Sequence, residues 1–397
     1  MSALVERPAD PHAGAAHAGR QLHVLFILTS AGVGGAEMMT ISLLNRIDPR
    51  RFRLSLAYLK QEHDLVDKID RTRVNGQVFC CDVDHRMDWR AAWRLGRFVR
   101  GEQVDIILCT NLYPLLYGWT ARWLSGCKPK LVEVLHSIKL ESARAGLQML
   151  LYRPLLRMTR MLVYVCANQR RLWQERRLAA REDIVIHNGV DVDHFSNRFH
   201  LDAIAALRRT HGFLESDYVV GLCAYMRPEK AHGDLLAAAA RAHARGVALK
   251  CLLIGDGPER REIERRIEAL GLGRHVAITG LMADVRLAVA ACDVLVIASR
   301  HETFSIAALE SMAMGKPIVM TDVGGASEQV MQGVSGYLYQ SGDIDALADR
   351  LVRLADPTRR AAMGSHARRS VAGRFSLDVM VDAYERLFLR LAQRPHG

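Results

Sequence analysis

Short apolar runs recur down this chain, each followed by a stretch with helical periodicity. Gln21–Leu28 (Q-L-H-V-L-F-I-L) is the first. Runs of the same kind stand at Leu54–Tyr58, Val78–Cys81, Asp105–Cys109, Leu131–Leu135, Met161–Val165 and Ile184–Ile186. Helical patterns lie between them, clearest near 88–101, 112–125 and 142–158. Strands apolar on both faces and separated by helices are satisfied by a parallel sheet between helix layers. The alternation pauses at the turn Asn188-Gly189-Val190-Asp191 and at a charged helical connector from Ala203 to His211. It restarts at Tyr218–Cys223 and continues through Lys250–Ile254, Val276–Ile278, Val294–Ile297, Ile318–Met320 and Gly336–Tyr339. The expected architecture is α/β: two Rossmann-like, doubly wound domains, 21–195 and 196–375, facing each other across a cleft. A last helical pattern, Leu377 to Leu391, has no strand after it, and 376–397 is expected to cross back to the first domain.

Composition narrows the compartment and the partners. Half of the 397 residues are hydrophobic, which calls for packed cores, yet no apolar run approaches bilayer length. Residues 1–20 are rich in Ala, His and Gly, carry Glu6 and Asp10 and lack a hydrophobic segment, so a frayed tail is expected rather than a signal peptide. The eight cysteines form no CxxC pair, which fits reduced thiols in the cytoplasm. A net charge of +11 favours an acidic partner: a phosphorylated small molecule, anionic lipid or nucleic acid. For nucleic acid the chain lacks an RNP-type aromatic motif, a zinc finger and a concentrated basic tail.

Ligands of open α/β sheets bind beyond the carboxyl ends of the strands, and the chemistry-bearing residues cluster there. In the first domain Thr29-Ser30-Ala31-Gly32-Val33-Gly34-Gly35 runs from a strand into a helix, a phosphate-binding elbow. It lacks the third glycine of the dinucleotide fingerprint, and no acidic residue closes the second strand. Asn111 and His136 each follow a strand. In the second domain Arg227-Pro228-Glu229-Lys230 is expected to open a helix, where cations oppose the dipole and so serve something other than helix stability. Gly255-Asp256-Gly257-Pro258 makes a glycine-rich turn after the next strand. Then comes R-H-E-T-F-S-I-A-A-L-E-S-M-A-M-G-K-P-I-V-M-T-D-V-G-G-A-S-E from Arg300 to Glu328. Glu302 and Glu310, eight residues apart, straddle the start of a helix striped by Ile306, Leu309 and Met312 and ended by Gly315. The N–H groups of Phe304, Ser305 and Ile306 are expected to be open to an anion, with the glutamates gripping hydroxyls around it.

Taken in order, the glycine pair, His136, Asn188-Gly189-Val190, R-P-E-K, G-D-G, the spaced glutamates and V-G-G-A-S-E resemble family 4 of the retaining glycosyltransferases. The likeness covers nearly the whole chain after residue 20 and implies the GT-B fold. It implies transfer of a sugar from a UDP- or GDP-sugar to the hydroxyl of a sugar or lipid-linked acceptor, with retained configuration, in polysaccharide or glycolipid synthesis. Carried over by position, Gly34 and Gly35 approach the donor's diphosphate and sugar, and His136 contacts a sugar hydroxyl. Arg227 and Lys230 neutralise the diphosphate beside Gly255, Phe304, Ser305 and Ile306. Glu302 holds sugar hydroxyls and Glu310 the ribose. Many members place the arginine five residues before the lysine, where this chain has Tyr225; Arg227 stands three before it.

Two cations and a helix N-terminus can take the place of a divalent metal, so no metal and no cofactor beyond the nucleotide sugar is expected. Asp-x-Asp triplets do occur at Asp82, Asp191 and Asp343, but three unrelated contexts make the pattern unspecific. On the acceptor side, Asp88 to Arg100 sets Arg90, Arg94 and Arg97 on one helical face and Trp89 and Trp93 on another. Arg153, Arg157 and Arg160 follow Leu147, Leu150 and Leu151. Such faces suit an anionic membrane surface, placing the protein in the cytoplasm with peripheral contact at the inner leaflet. A nucleotide-sugar epimerase of the same architecture is the alternative enzyme, separated by product analysis with donor alone.

Overall fold

The computed structural model describes residues 20–85, 87–136, 152–196 and 198–393. The expected tail, most of the 142–158 helix and Leu147, Leu150 and Leu151 lie outside the described residues.

The first sheet is built from β1 (Leu22–Leu28), β2 (Phe52–Tyr58), β3 (Val78–Cys80), β4 (Ile106–Thr110), β5 (Lys130–Leu135), β6 (Met161–Tyr164) and β7 (Glu182–Val185). Its helices are α1 (Gly35–Leu44), α2 (Trp89–Gly101), α3 (Leu112–Ser125), α4 (described over 152–158) and α5 (Ala167–Glu175). The second sheet follows α6 (Leu201–Thr210), with β8 (Tyr218–Cys223), β9 (Leu249–Ile254), β10 (Val276–Ile278), β11 (Val294–Ile297), β12 (Ile318–Thr321) and β13 (Gly336–Tyr339). Its helices are α7 (His232–Ala244), α8 (Arg260–Ala269), α9 (Arg286–Ala290), α10 (Ile306–Ala313), α11 (Ala326–Gln329) and α12 (Ile344–Arg353). The chain closes with α13 (Pro357–Arg374) and α14 (Leu377–Gln393).

Strand order is β3-β2-β1-β4-β5-β6-β7 in the first sheet and β10-β9-β8-β11-β12-β13 in the second. The registers of β1 with β2 and β4, and of β8 with β9 and β11, are parallel. These are the doubly wound α/β sheets that the strand–helix alternation predicts. In each, the direction of winding reverses once, between β1 and β4 and between β8 and β11. At such a switch point the loops after the two strands diverge to opposite faces and leave a crevice between them.

Burial follows the sequence. All seven residues of β1 are buried, as a central parallel strand requires. Val220, Leu222, Leu253, Val294, Val296 and Val319 join Leu235, Ile263 and Leu347 of the flanking helices in one apolar cluster of the second sheet. Asp88 caps α2, accepting from the N–H groups of Arg90 and Ala91, and Ser305 caps α10 through Ala308 N–H.

The compact units are bounded elsewhere than the sheets. One comprises the chain up to Glu133 together with the segment from Tyr384; the other runs from Val134 to Ala383. The cuts fall inside β5 and inside α14. In the first unit the last turns of α14 pack on the strands. Glu385 accepts from Asp48 N–H at 2.9 Å and pairs with Arg51 at 2.9 Å, and Phe388 meets Phe26 and Phe52 edge to face. Among the described residues no helix is long and apolar enough to cross a membrane.

Candidate functional site

The switch point of the second sheet gathers the predicted residues of its unit. After β8 the chain passes Tyr225 and Arg227 into a 3-10 turn, Pro228–Lys230, rather than straight into an α-helix as the sequence suggests. Pro228 fixes the first turn position and Ala231, at φ +49°, breaks the run before α7 begins. The turn aims Lys230 at the loop after β11: its Nζ donates to Glu302 Oε2 at 2.7 Å. Arg227 is solvent-exposed, its guanidinium 4.9 Å above the Tyr225 ring and 4.0 Å from Glu229. Tyr225, five residues before Lys230, thus offers its ring face to the Arg227 guanidinium.

Glycines set these loops against each other. A side chain at Gly255 would meet Ala224 O at 2.3 Å, and one at Gly257 would meet Met226 O at 2.5 Å. The G-D-G turn therefore packs backbone to backbone on the A-Y-M-R segment, and Met226 N–H donates to Asp256 O at 2.8 Å. Gly324, at φ +59°, lies so close to the Glu302 carbonyl that no Cβ fits, and Gly325 presses on Phe304 and Cys166. The V-G-G segment is a bed for the Glu302–Phe304 loop.

Glu310 sits in α10 with its side chain largely enclosed, and burial pushes its carboxyl up to about 7. His136 leaves the end of β5, where Thr303 Oγ1 donates to its carbonyl at 2.8 Å. The sequence-predicted histidine and glutamate loop are therefore joined in one unit. Burial lowers the His136 imidazole to about 4, so the ring is neutral at pH 7 and suited to hydrogen bonding rather than to charge.

One expectation is corrected. The Ser305 N–H is not open: it donates to Gln329 Oε1 at 3.1 Å, while Gln329 Nε2 donates back to Ser305 O at 2.8 Å. This buried amide clamp takes the place of an anion at that N–H. Gly34 caps α1 in the other unit in extended conformation, with Gly35 exposed. Carboxylates face that elbow: Glu37 fills the space beside Gly34, and Glu62 lies against Gly32. Burial raises the Glu37 carboxyl, with Glu62 adding to the rise. Two acids there suit hydroxyl groups better than the phosphate that the glycine loop alone suggests.

Sequence reasoning passed over Glu328. Its carboxylate accepts from Ala167 N–H at 2.9 Å, Asn168 N–H at 3.0 Å and His187 Nε2 at 2.9 Å. Burial would raise this carboxyl, but the three donors outweigh it and hold the group below its ordinary value. Asn168 Nδ2 also donates to Gly324 O at 2.7 Å, and His187 stacks near Phe304. The start of α5 is thus stitched to the bed beneath Glu302. The available signal was position: an acid three residues beyond the glycine pair, in a stretch already rich in candidate site residues.

Comparison with known proteins agrees with this construction. The profile described as "Glycosyl transferases group 1" matches residues 217–356, and "Glycosyltransferase Family 4" matches 33–194. HepE from Anabaena, solved in complex with UDP, superposes with a TM-score of 0.80 at 22% identity, over 93% of this chain and 100% of that one. Sucrose-phosphate synthase from Thermosynechococcus elongatus superposes at 0.78 with 19% identity, over 94% and 99%. At these identities the likeness defines the fold class, which is GT-B. The chain belongs to family 4, the group 1 glycosyltransferases. N-acetyl-alpha-D-glucosaminyl L-malate synthase of Bacillus anthracis is 32% identical over 183 residues, 46% of this chain and 48% of that protein. D-inositol 3-phosphate glycosyltransferase of Geodermatophilus obscurus is 35% identical over 215 residues, 51% and 46%. The chain spans about half the length of the relatives it matches. The epimerase and nucleic-acid readings gain no support from these proteins.

Proposed function

We propose that the protein is a metal-independent, retaining glycosyltransferase that moves a sugar from a nucleoside diphosphate sugar to an acceptor hydroxyl in glycan or glycolipid synthesis. The observation that carries the proposal is the Lys230–Glu302 pair at the β8/β11 switch point. Without donor, the two groups neutralise each other. A diphosphate arriving at Lys230 competes for the ammonium and releases Glu302 to accept sugar hydroxyls. The pair is then a preset exchange of partners rather than a structural bridge.

In the reaction the bond from the anomeric carbon to the β-phosphate oxygen breaks and the acceptor oxygen attacks from the same face. The acceptor proton passes to the departing phosphate. Negative charge grows on that phosphate, where Lys230 and Arg227 act. A unit-charge contact at ~4 Å and an effective dielectric of ~20 amounts to roughly 4 kcal/mol before desolvation. His136, neutral, holds a sugar hydroxyl, and Glu310 holds the ribose. The bound UDP of the HepE structure and the GDP-mannose dependence in the name of a Corynebacterium glutamicum relative support screening both bases.

Thermal shift with UDP- and GDP-sugars should identify the donor, since ligand held by the folded state raises its melting temperature. Lys230→Ala should then lower turnover by about 10²–10³-fold, and EDTA should leave the wild-type rate unchanged. Stabilisation by no nucleotide sugar, or a rate restored only by added Mg²⁺, would refute the proposal.

A further inference from the structure

We propose that the outer face of α2 and α3 is a docking surface for anionic phospholipid. It goes beyond the transferase reading and stands independently of it. Four of the chain's five tryptophans fall on these two helices, as Trp89 with Trp93 and Trp119 with Trp123. Each pair is spaced by four and so shares a helical face. Trp89, Trp93 and Trp123 are 61%, 53% and 66% exposed, and Trp119 is half-buried. Single exposed apolar residues are common on proteins, but paired tryptophans on neighbouring helices are not scatter.

The helices lie side by side. A side chain at Gly96 would meet Leu124 Cβ at 2.9 Å, and Arg100 Nη2 lies against Gly126. Their polar complement is of one sign. Residues 89–101 and 112–125 contain Arg90, Arg94, Arg97, Arg100 and Arg122 and no Asp or Glu. Arg90, Arg97 and Arg100 are exposed, and Arg97 stacks 4.8 Å from the Trp93 ring. The nearest acids are engaged: Asp88 caps α2, and Glu102 pairs with Arg53 at 2.6 Å. Indole rings settle at the headgroup level of a bilayer, and arginines gain there only if the lipid is anionic. A protein partner would have to offer a matching acidic, flat and apolar surface; an anionic leaflet offers it everywhere.

The structure also revises which arginines belong to the face. Arg94, though exposed, is tied down by donating to Cys81 O at 2.6 Å. Arg160 is paired with Glu182 at 2.7 Å, and Arg153 reaches Arg176 O at 3.4 Å. Arg157 is exposed, and the leucines of that second stripe lie outside the described residues, so the proposed surface rests on α2 and α3 alone.

Flotation of the full chain should show binding to phosphatidylcholine vesicles containing phosphatidylglycerol, weakened by salt, and little binding to phosphatidylcholine alone. Tryptophan emission should shift to the blue on binding. Arg90→Glu with Arg97→Glu should lose about tenfold or more of the anionic-vesicle affinity. Trp89→Ala with Trp93→Ala should lose both binding and most of the emission shift. All these side chains are exposed, so melting temperature and nucleotide-induced stabilisation should remain at wild-type levels, which keeps this test separate from the donor site. Absence of binding to anionic vesicles, equal binding to neutral ones, or burial of the tryptophans in a lipid-free dimer would each overturn the proposal.

Discussion

Glu310, proposed above to hold the ribose, shows how one largely enclosed carboxyl would couple binding to a stability cost. Enclosure in α10 raises its carboxyl to about 7, above the ordinary carboxylate range. In the native protein it holds its proton between those values while the unfolded chain has released it. Its contribution therefore favours the folded state on the acid side and is lost as pH rises through about 7. Glu310→Gln should raise the melting temperature above pH 7 and leave it near wild type at about pH 5. Ribose binding needs the opposite form, because an ionised carboxylate is the better acceptor for hydroxyls. Nucleotide affinity measured by calorimetry should fall as pH drops through about 7 in the wild type. In Glu310→Gln it should be weak and flat. Unchanged affinity in the variant would remove Glu310 from the ribose. The residue was legible in the sequence by its spacing from Glu302, whereas its protonation was not, because enclosure is a property of the packed loops around it.

At the scale of elements, the site depends on how the β11–α10 loop is held. Gly324 and Gly325 lie beneath it, and Gln329 clamps Ser305 from both sides. Glu328 fastens the start of α5 alongside through three hydrogen bonds. Removing this carboxylate strands two backbone donors and His187, at a cost of about 3 kcal/mol for charge-assisted bonds. Glu328→Ala should show that loss in urea denaturation at neutral pH, and Glu328→Gln, which keeps one acceptor oxygen, a smaller one. The carboxylate's folded value is depressed, so its contribution is present above the ordinary carboxylate range and disappears on acidification. The gap between wild type and Glu328→Ala should narrow accordingly at low pH. Strands are readable because a parallel core demands unbroken apolar runs, and every apolar run named above forms a strand. The clamp was not readable: Ser305 and Gln329 belong to different elements, and a bond between them has no periodic trace. The 3-10 turn at Pro228–Lys230 is hidden for a related reason, since nothing in R-P-E-K announces that Ala231 will take a positive φ.

For the whole molecule, the last helix matters most, because the first unit is built from chain segments that are far apart in sequence. Phe388 is fully buried between Phe26 of β1, Phe52 of β2 and Tyr384, and Glu385 secures the β2 approach through Asp48 and Arg51. The apolar spacing of 377–391 already required a buried face; which strands it would cover was set by topology alone. A contact of this sequence separation carries a large loop-closure cost and is expected to form late in folding. Phe388→Ala leaves a cavity against two central strands and should destabilise the protein by about 3–5 kcal/mol. Val379→Ala, on an exposed part of the same helix, should stay within about 0.5 kcal/mol of wild type. If docking of the helix end follows the rate-limiting step, the whole loss in Phe388→Ala will appear as faster unfolding, with refolding at the wild-type rate. A refolding rate slowed in proportion to the lost stability would instead place the chain's end in the folding nucleus, and the late-docking account would be wrong.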